Sequence, residues 1–120
     1  MAFLVELLMT SSTGRQIFAS RLRCERKRAG LTQEALGVLA GIPVDVARTR
    51  VNRYERAVHD CDLGTAVALA GVLDVPLASL YASDIGEATI ISAYSRLSVA
   101  GRERLLSLVT EALEADRSSV

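Results

Sequence analysis

The chain has 120 residues, half of them apolar and 4% aromatic, with 14 Lys/Arg balanced by 14 Asp/Glu. That length holds one domain, or a compact domain with a short extension, and its core has to be built from Leu, Val, Ile and Ala. A single histidine (His59) and two cysteines (Cys24 and Cys61, with no CxxC) exclude a tetrahedral zinc set, so no metal and no cofactor are expected.

Ala and Leu are good helix formers and only two prolines interrupt them, so the prediction is all-α. Two unpaired thiols fit a reducing, cytoplasmic compartment, and little beyond the basic run beside Cys24 marks a redox switch. There is no Ser/His/Asp set, no phosphate-cradling Gly loop and no carboxylate pair in a plausible cleft, so no enzyme is expected and no small-molecule ligand is evident. Zero net charge hides an uneven distribution. Residues 14–60 carry Arg15, Arg21, Arg23, Arg26, Lys27, Arg28, Arg48, Arg50, Arg53 and Arg56 against five acids, whereas residues 61–120 carry four Arg against eight acids. A basic half followed by an acidic half implies an electrostatic footprint confined to one face.

The opening MAFLVELLMT is apolar but too short to span a bilayer, and it lacks a basic n-region. Two readings stay open: an extra helical turn packing on the body, or an upstream extension of a chain that starts at Met9. Helix one is predicted over residues 14–29, with Phe18, Leu22 and Ala29 on one apolar stripe and Gly30 as its stop. Helix two follows at once, with Thr32 as N-cap and Ala35, Leu36, Leu39 and Ala40 apolar, and it ends at Gly41. Gly37 in its middle costs about 1 kcal/mol relative to Ala, which implies the close approach of a crossing helix.

Helix three lies between Pro43 and Arg56, with either Pro43 at N1 or Asp45 as N-cap. At roughly 100° per residue, Val44, Ala47, Val51, Tyr54 and Glu55 fall inward, while Thr49, Asn52, Arg53 and Arg56 point outward between Arg48 and Arg50. An outer face of Arg, Thr and Asn suits base edges and phosphates. Helix four runs over residues 63–73 with Ala66, Leu69, Ala70 and Leu73 spaced for burial, and residues 77–81 make a short fifth helix. Residues 82–86 are a joint. Beyond it, residues 87–97 and 99–116 read as two more helices, the second capped by Ser98.

The stretches FASRLRCERKRAGLTQEALGVLAGI, VNRYERA and VALAGVLDVPLASLY resemble the phage-repressor (Xre/Cro-CI) helix-turn-helix family over roughly residues 17–81. Its pattern is matched by Leu22, Arg26, Leu31-Thr32-Gln33, Leu36, Gly37, Gly41-Ile42, Val51, Glu55, Ala70, Leu73, Val75 and Leu77. The resemblance implies a five-helix lambda-repressor-like domain over residues 14–82. Beyond it, residues 83–120 form a C-terminal helical pair expected to make a homodimer, because the stripe Leu105, Val109 and Leu113, with Leu106 and Leu108 beside it, is wider than Ile90, Ile91, Tyr94 and Leu97 of the preceding helix can cover. The bland alternative for that pair is a monomeric cap on helices four and five.

The resemblance further implies that helix two crosses the DNA backbone while helix three, residues 44–56, enters the major groove. Carried over by position, Arg48, Thr49 and Arg53 read bases with Arg50 beside them, Asn52 can pair with adenine, and Gln33 contacts a phosphate. Arg56 and His59 make weak phosphate contacts from the following loop. Arg26 and Glu55 match the family's ion pair between helices one and three, a structural role. Two features depart from the pattern. Glu55 follows Gly41 by fourteen positions rather than ten, about 1.1 helical turns more, and Ala57 stands where glycine is usual. The expected function is sequence-specific binding of double-stranded DNA by a transcriptional repressor, with no membrane partner. The alternative is a protein-interaction module of the same fold, antitoxin-like or regulator-binding, with weak or no DNA binding.

Overall fold

The computed structural model describes the backbone of residues 2–119 and the side chains of residues 14–119. These residues form six α-helices and one 3-10 helix, with no strand among them: α1 (Ala2–Arg28), α2 (Gln33–Leu39), α3 (Val44–Glu55), α4 (Leu63–Leu73), the 3-10 helix (Leu77–Tyr81), α5 (Ile85–Arg96) and α6 (Val99–Ser118). The all-α expectation holds, and α1 to α4 with the 3-10 helix make the five helical segments. Gly14 starts no helix, because α1 runs through it. The two readings of the opening segment turn on side chains outside the described residues.

Short polar side chains set four of the helix starts by accepting otherwise unpaired backbone N–H groups. Thr32 Oγ1 accepts from Ala35 N at 3.0 Å, Asp62 Oδ2 from Thr65 N at 3.0 Å, Asp84 Oδ1 from Glu87 N at 2.8 Å, and Ser98 Oγ from Gly101 N at 3.1 Å. Thr32 and Ser98 are the caps the sequence predicted. Asp84 moves the start of α5 ahead of the predicted residue 87. For α3 neither predicted cap applies: Pro43 occupies the N-cap with no side-chain bond, and Asp45 lies inside the first turn.

Four helices end alike. The N–H groups of Leu31, Ile42, Val58 and Val75 return to the carbonyls of Arg26, Gly37, Arg53 and Ala70, a Schellman closure that needs the preceding residue at positive φ. Gly30 and Gly41 take that conformation freely, but Ala57 (φ 57°) and Asp74 (φ 55°) take it too. Ala57, where glycine is usual, thus carries the strain of a left-handed alanine.

The core gathers Phe18 and Leu22 of α1, Leu36 of α2, Ala47, Val51 and Tyr54 of α3, Leu69 and Leu73 of α4, and Leu80 of the 3-10 helix. Phe18 also stacks obliquely on Tyr81, with ring centroids 5.3 Å apart. Three predicted core positions are corrected. Leu39, the last residue of α2, is 62% exposed and Val44, the first of α3, is 65% exposed. Ala29 is also exposed, at the end of α1, and the buried face includes Ala19 and Glu25 instead. The Glu25 carboxylate is compensated by Arg21 (3.0 Å) and Arg28 (2.6 Å). α5 buries Ala88 and packs on the 3-10 helix, whereas α6 buries none of its residues.

Candidate nucleic-acid interface

The unit formed by α2 and α3 is defined by one near-absent side chain. A Cβ placed on Gly37 would stand 2.8 Å from Ala47 Cβ and 3.1 Å from the Ala47 carbonyl oxygen. The two helices therefore cross in direct backbone contact, as the glycine implied. Gly41 at φ 92° turns the chain between them and delivers Ile42 into the core. The connection takes only residues 40–43, so the extra length between Gly41 and Glu55 belongs to α3, as an additional first turn containing Val44 and Asp45. That turn extends beyond the core, which accounts for the exposure of Val44.

The orientation of α3 is fixed from its other end. Arg26 Nε and Nη2 donate to the two carboxylate oxygens of Glu55 at 2.6 and 2.9 Å, and Arg26 Nη1 donates to the Leu31 carbonyl at 2.9 Å. The pair is well screened from solvent, with the side chain of Arg26 13% exposed and that of Glu55 3% exposed. The hydrogen bonds to Glu55 hold the Arg26 guanidinium above its ordinary pKa. Gln33 Nε2 adds a bond to Glu55 Oε1 at 3.2 Å, and Asn52 Nδ2 donates to Gln33 Oε1 at 3.4 Å. One polar chain, Arg26–Glu55–Gln33–Asn52, thus ties α1, α2 and α3 together, and no buried side-chain polar atom among the described residues is left without a partner.

The seven residues predicted for the site divide into two groups. Arg48, Thr49, Arg53 and Arg56 are exposed, and the three arginines form no ion pair among the described residues. Gln33, Asn52 and Arg50 are half-buried. Gln33 and Asn52 hold each other, and Arg50 Nη2 donates to the Tyr54 hydroxyl at 2.9 Å. Thr49, Arg53 and Arg56 face outward as the wheel of α3 placed them, but Asn52 is half-buried, and Asn52 and Arg50 carry internal bonds that the sequence did not suggest. His59 is exposed in the loop after α3, next to Asp60, which pairs with Arg15 at 2.7 Å. In that loop the half-buried Cys61 thiol is pushed up to about 12, chiefly by burial and then by the neighbouring Asp62 charge, so it stays protonated.

Among the described residues no group of His, Cys, Asp or Glu is placed to hold a metal ion, and no helix is long and apolar enough to cross a membrane. No curated protein matches the chain significantly. Among solved structures the chain is similar to the crystal structure of the transcriptional regulator BswR, at 36% identity and a TM-score of 0.71, over 81% of this chain and 96% of that one. An aligned share of that size cannot fit within residues 1–80, so the likeness takes in part of the C-terminal helices. The family profile described as a helix-turn-helix domain matches residues 17–80, the segment from α1 through the 3-10 helix that carries the Gly37 crossing and the Arg26–Glu55 tie, and the chain belongs to that helix-turn-helix family.

Proposed function

We propose that the chain is a sequence-specific transcriptional repressor of the phage-repressor (Xre/Cro-CI) type, which lays α3 in the major groove of double-stranded DNA. The observation that carries this reading is the set Arg48, Thr49 and Arg53, exposed along one side of a helix whose orientation is locked by Arg26 and Glu55. Arg48 and Arg53 suit bidentate contact with guanine O6/N7, and Thr49 suits a thymine methyl. Gln33, held by Asn52 and Glu55 at the start of α2, presents a fixed amide and backbone N–H groups to a phosphate, and Arg50 and Arg56 border the face. Asn52 reads adenine only if its amide leaves Gln33. The likeness to a named transcriptional regulator supports the same reading. Two free thiols, Cys24 and Cys61, fit the cytoplasm.

Residues 14–82 then act as the DNA-binding domain and residues 83–120 as the dimerising one. Ile90, Tyr94 and Leu97 of the α5 region and Leu106, Leu108, Val109 and Leu113 of α6 are exposed together. Arg102 fixes the joint between these helices. It donates to the Tyr94 and Ser95 carbonyls at 3.1 and 3.2 Å and lies 4.9 Å from the centre of the Tyr94 ring. A helix so exposed and so fixed suits a two-fold partner, and two half-sites multiply specificity.

The test is selection of bound sequences from a random duplex pool. Wild type should enrich a symmetric motif, and Arg53→Ala should relax one or two base positions while weakening binding by about 1–3 kcal/mol. Recovery of no motif would favour the protein-interaction reading. An unchanged motif with Arg53→Ala would show that the reading face is misassigned.

A further inference from the structure

The Arg26–Glu55 pair separates two concavities. One, lined by Thr32, Gln33, Glu34 and Arg48, belongs to the face already described. The other lies between α1 and the end of α3 and is lined by Arg23, Lys27 and Arg56 together with Gln16, Ser20 and Cys24. Of the first six basic residues of the chain, four are spent internally: Arg15 on Asp60, Arg21 and Arg28 on Glu25, and Arg26 on Glu55. Arg23 and Lys27 have no ion pair among the described residues, and neither does Arg56. Arg23 and Lys27 are exposed one helical turn apart, about 6 Å along α1. Three cations without an ion pair thus line one cleft, and the one carboxylate among its lining residues, Glu55, is already held by Arg26.

We infer that this cleft is a second phosphate-binding site, in which Arg23 and Lys27 of α1 act with Arg56 to grip the DNA backbone beside the groove that α3 reads. The inference rests on the reading of α3 as the groove-binding helix. Arg56 connects the two surfaces, because it stands on the outward stripe of α3 and also lines the cleft. The chemistry favours a phosphodiester strand over an acidic protein. A protein interface is centred on apolar and aromatic side chains, whereas the apolar residues lining this cleft are only Ala19 and Ala57. Guanidinium and ammonium groups in a row suit a line of phosphates, which contributes affinity without sequence information.

The experiment measures binding of a fluorescent random-sequence 24-base-pair duplex by anisotropy between 50 and 200 mM NaCl. It compares wild type, Arg23→Gln/Lys27→Gln and a charge-matched control, Arg96→Gln/Arg104→Gln. Each phosphate contact contributes about 0.9 to the log–log salt slope. The α1 double variant should therefore show a slope shallower by about two, so that its affinity falls about twelvefold less than that of wild type across this range. Its melting temperature should be unchanged, and the motif it selects from a random pool should match that of wild type. A wild-type slope retained by the α1 variant overturns the site while leaving α3 as the reading helix. An equal loss in the control shows a net-charge effect and also overturns it. Wild type that shows no salt-dependent binding to the duplex overturns both the site and the DNA-binding reading. Loss of an acidic protein partner by the α1 variant, with DNA binding intact, assigns the cleft to that partner instead.

Discussion

Replacing Glu55 with alanine is the most direct test of how the fold holds α3. The substitution removes two charge-assisted hydrogen bonds from Arg26 and one from Gln33, and leaves a guanidinium 13% exposed with the Leu31 carbonyl as its remaining partner. Breaking a fully buried pair costs roughly 3–5 kcal/mol. Because Arg26 keeps one bond and some access to water, about 2–4 kcal/mol is expected, a large share of the ~5–15 kcal/mol that stabilises a domain. For a chain of this size that lowers the melting temperature by roughly 8–15 °C, measured by circular dichroism at constant protein concentration. Glu55→Gln, which keeps an acceptor but not the charge, should fall between alanine and wild type. In the alanine variant Gln33 also loses its anchor, so DNA affinity should drop even well below the melting temperature. A Glu55→Ala protein that melts within a degree of wild type would refute the argument, because the pair would then contribute no net stability.

Three further outcomes follow from single sites. Gly37→Ala should lower stability by about 1–3 kcal/mol despite the better helix propensity of alanine, because the new methyl meets Ala47 at 2.8 Å; a raised melting temperature would mean that the α2–α3 crossing is looser. Ala57→Gly should raise stability by roughly 0.5–1 kcal/mol, since relief of the left-handed strain outweighs the added freedom of the unfolded chain, and chemical denaturation would read the change as a higher midpoint at constant m. Val109→Asp places a charge in the exposed stripe of α6; light scattering at micromolar concentration should find wild type dimeric and the variant a folded monomer with weaker operator binding. Wild type that is monomeric both free and on DNA would exclude the dimer.

Features encoded in a few neighbouring residues were legible in the sequence. Thr32 and Ser98 precede helical patterns and cap them, the limits of α4 coincide with its apolar spacing, and Gly37 and Ala57 announce a close contact and a strained turn by being the wrong size for their places. Arg26 and Glu55 were found by family resemblance and by the inward position of Glu55. Features set by distant neighbours were not legible. Periodicity assigns Leu39 and Val44 to the inner face but does not say where the adjoining helix stops, and both are exposed. Residues 82–86 read as a joint, yet Asp84 within them caps α5. The ties Asn52–Gln33 and Arg50–Tyr54, and the burial of Glu25 between two arginines, need the folded partners in place before they can be seen.

The balance of charge shows the same distinction at the scale of the whole molecule. Equal numbers of acids and bases argue against a polyanion only if they mix evenly over the surface. Here three of the five acids of residues 14–60 are consumed, Glu25 by Arg21 and Arg28, Glu55 by Arg26, and Asp60 by Arg15, which leaves Glu34 and Asp45. Within residues 14–60 the basic groups without an ion pair among the described residues, Arg23, Lys27, Arg48, Arg50, Arg53 and Arg56, all lie on α1 and on α3 and its C-cap. Eight acids are displaced to residues 61–120, outside the α2–α3 unit. Pairing within the domain thus leaves uncompensated cations on the surface proposed to meet DNA, while the C-terminal part of the chain restores neutrality. The compensating charge keeps long-range attraction modest, so affinity should depend on close contact by a few fixed side chains, the condition under which the rigid Arg26–Glu55–Gln33 chain matters most.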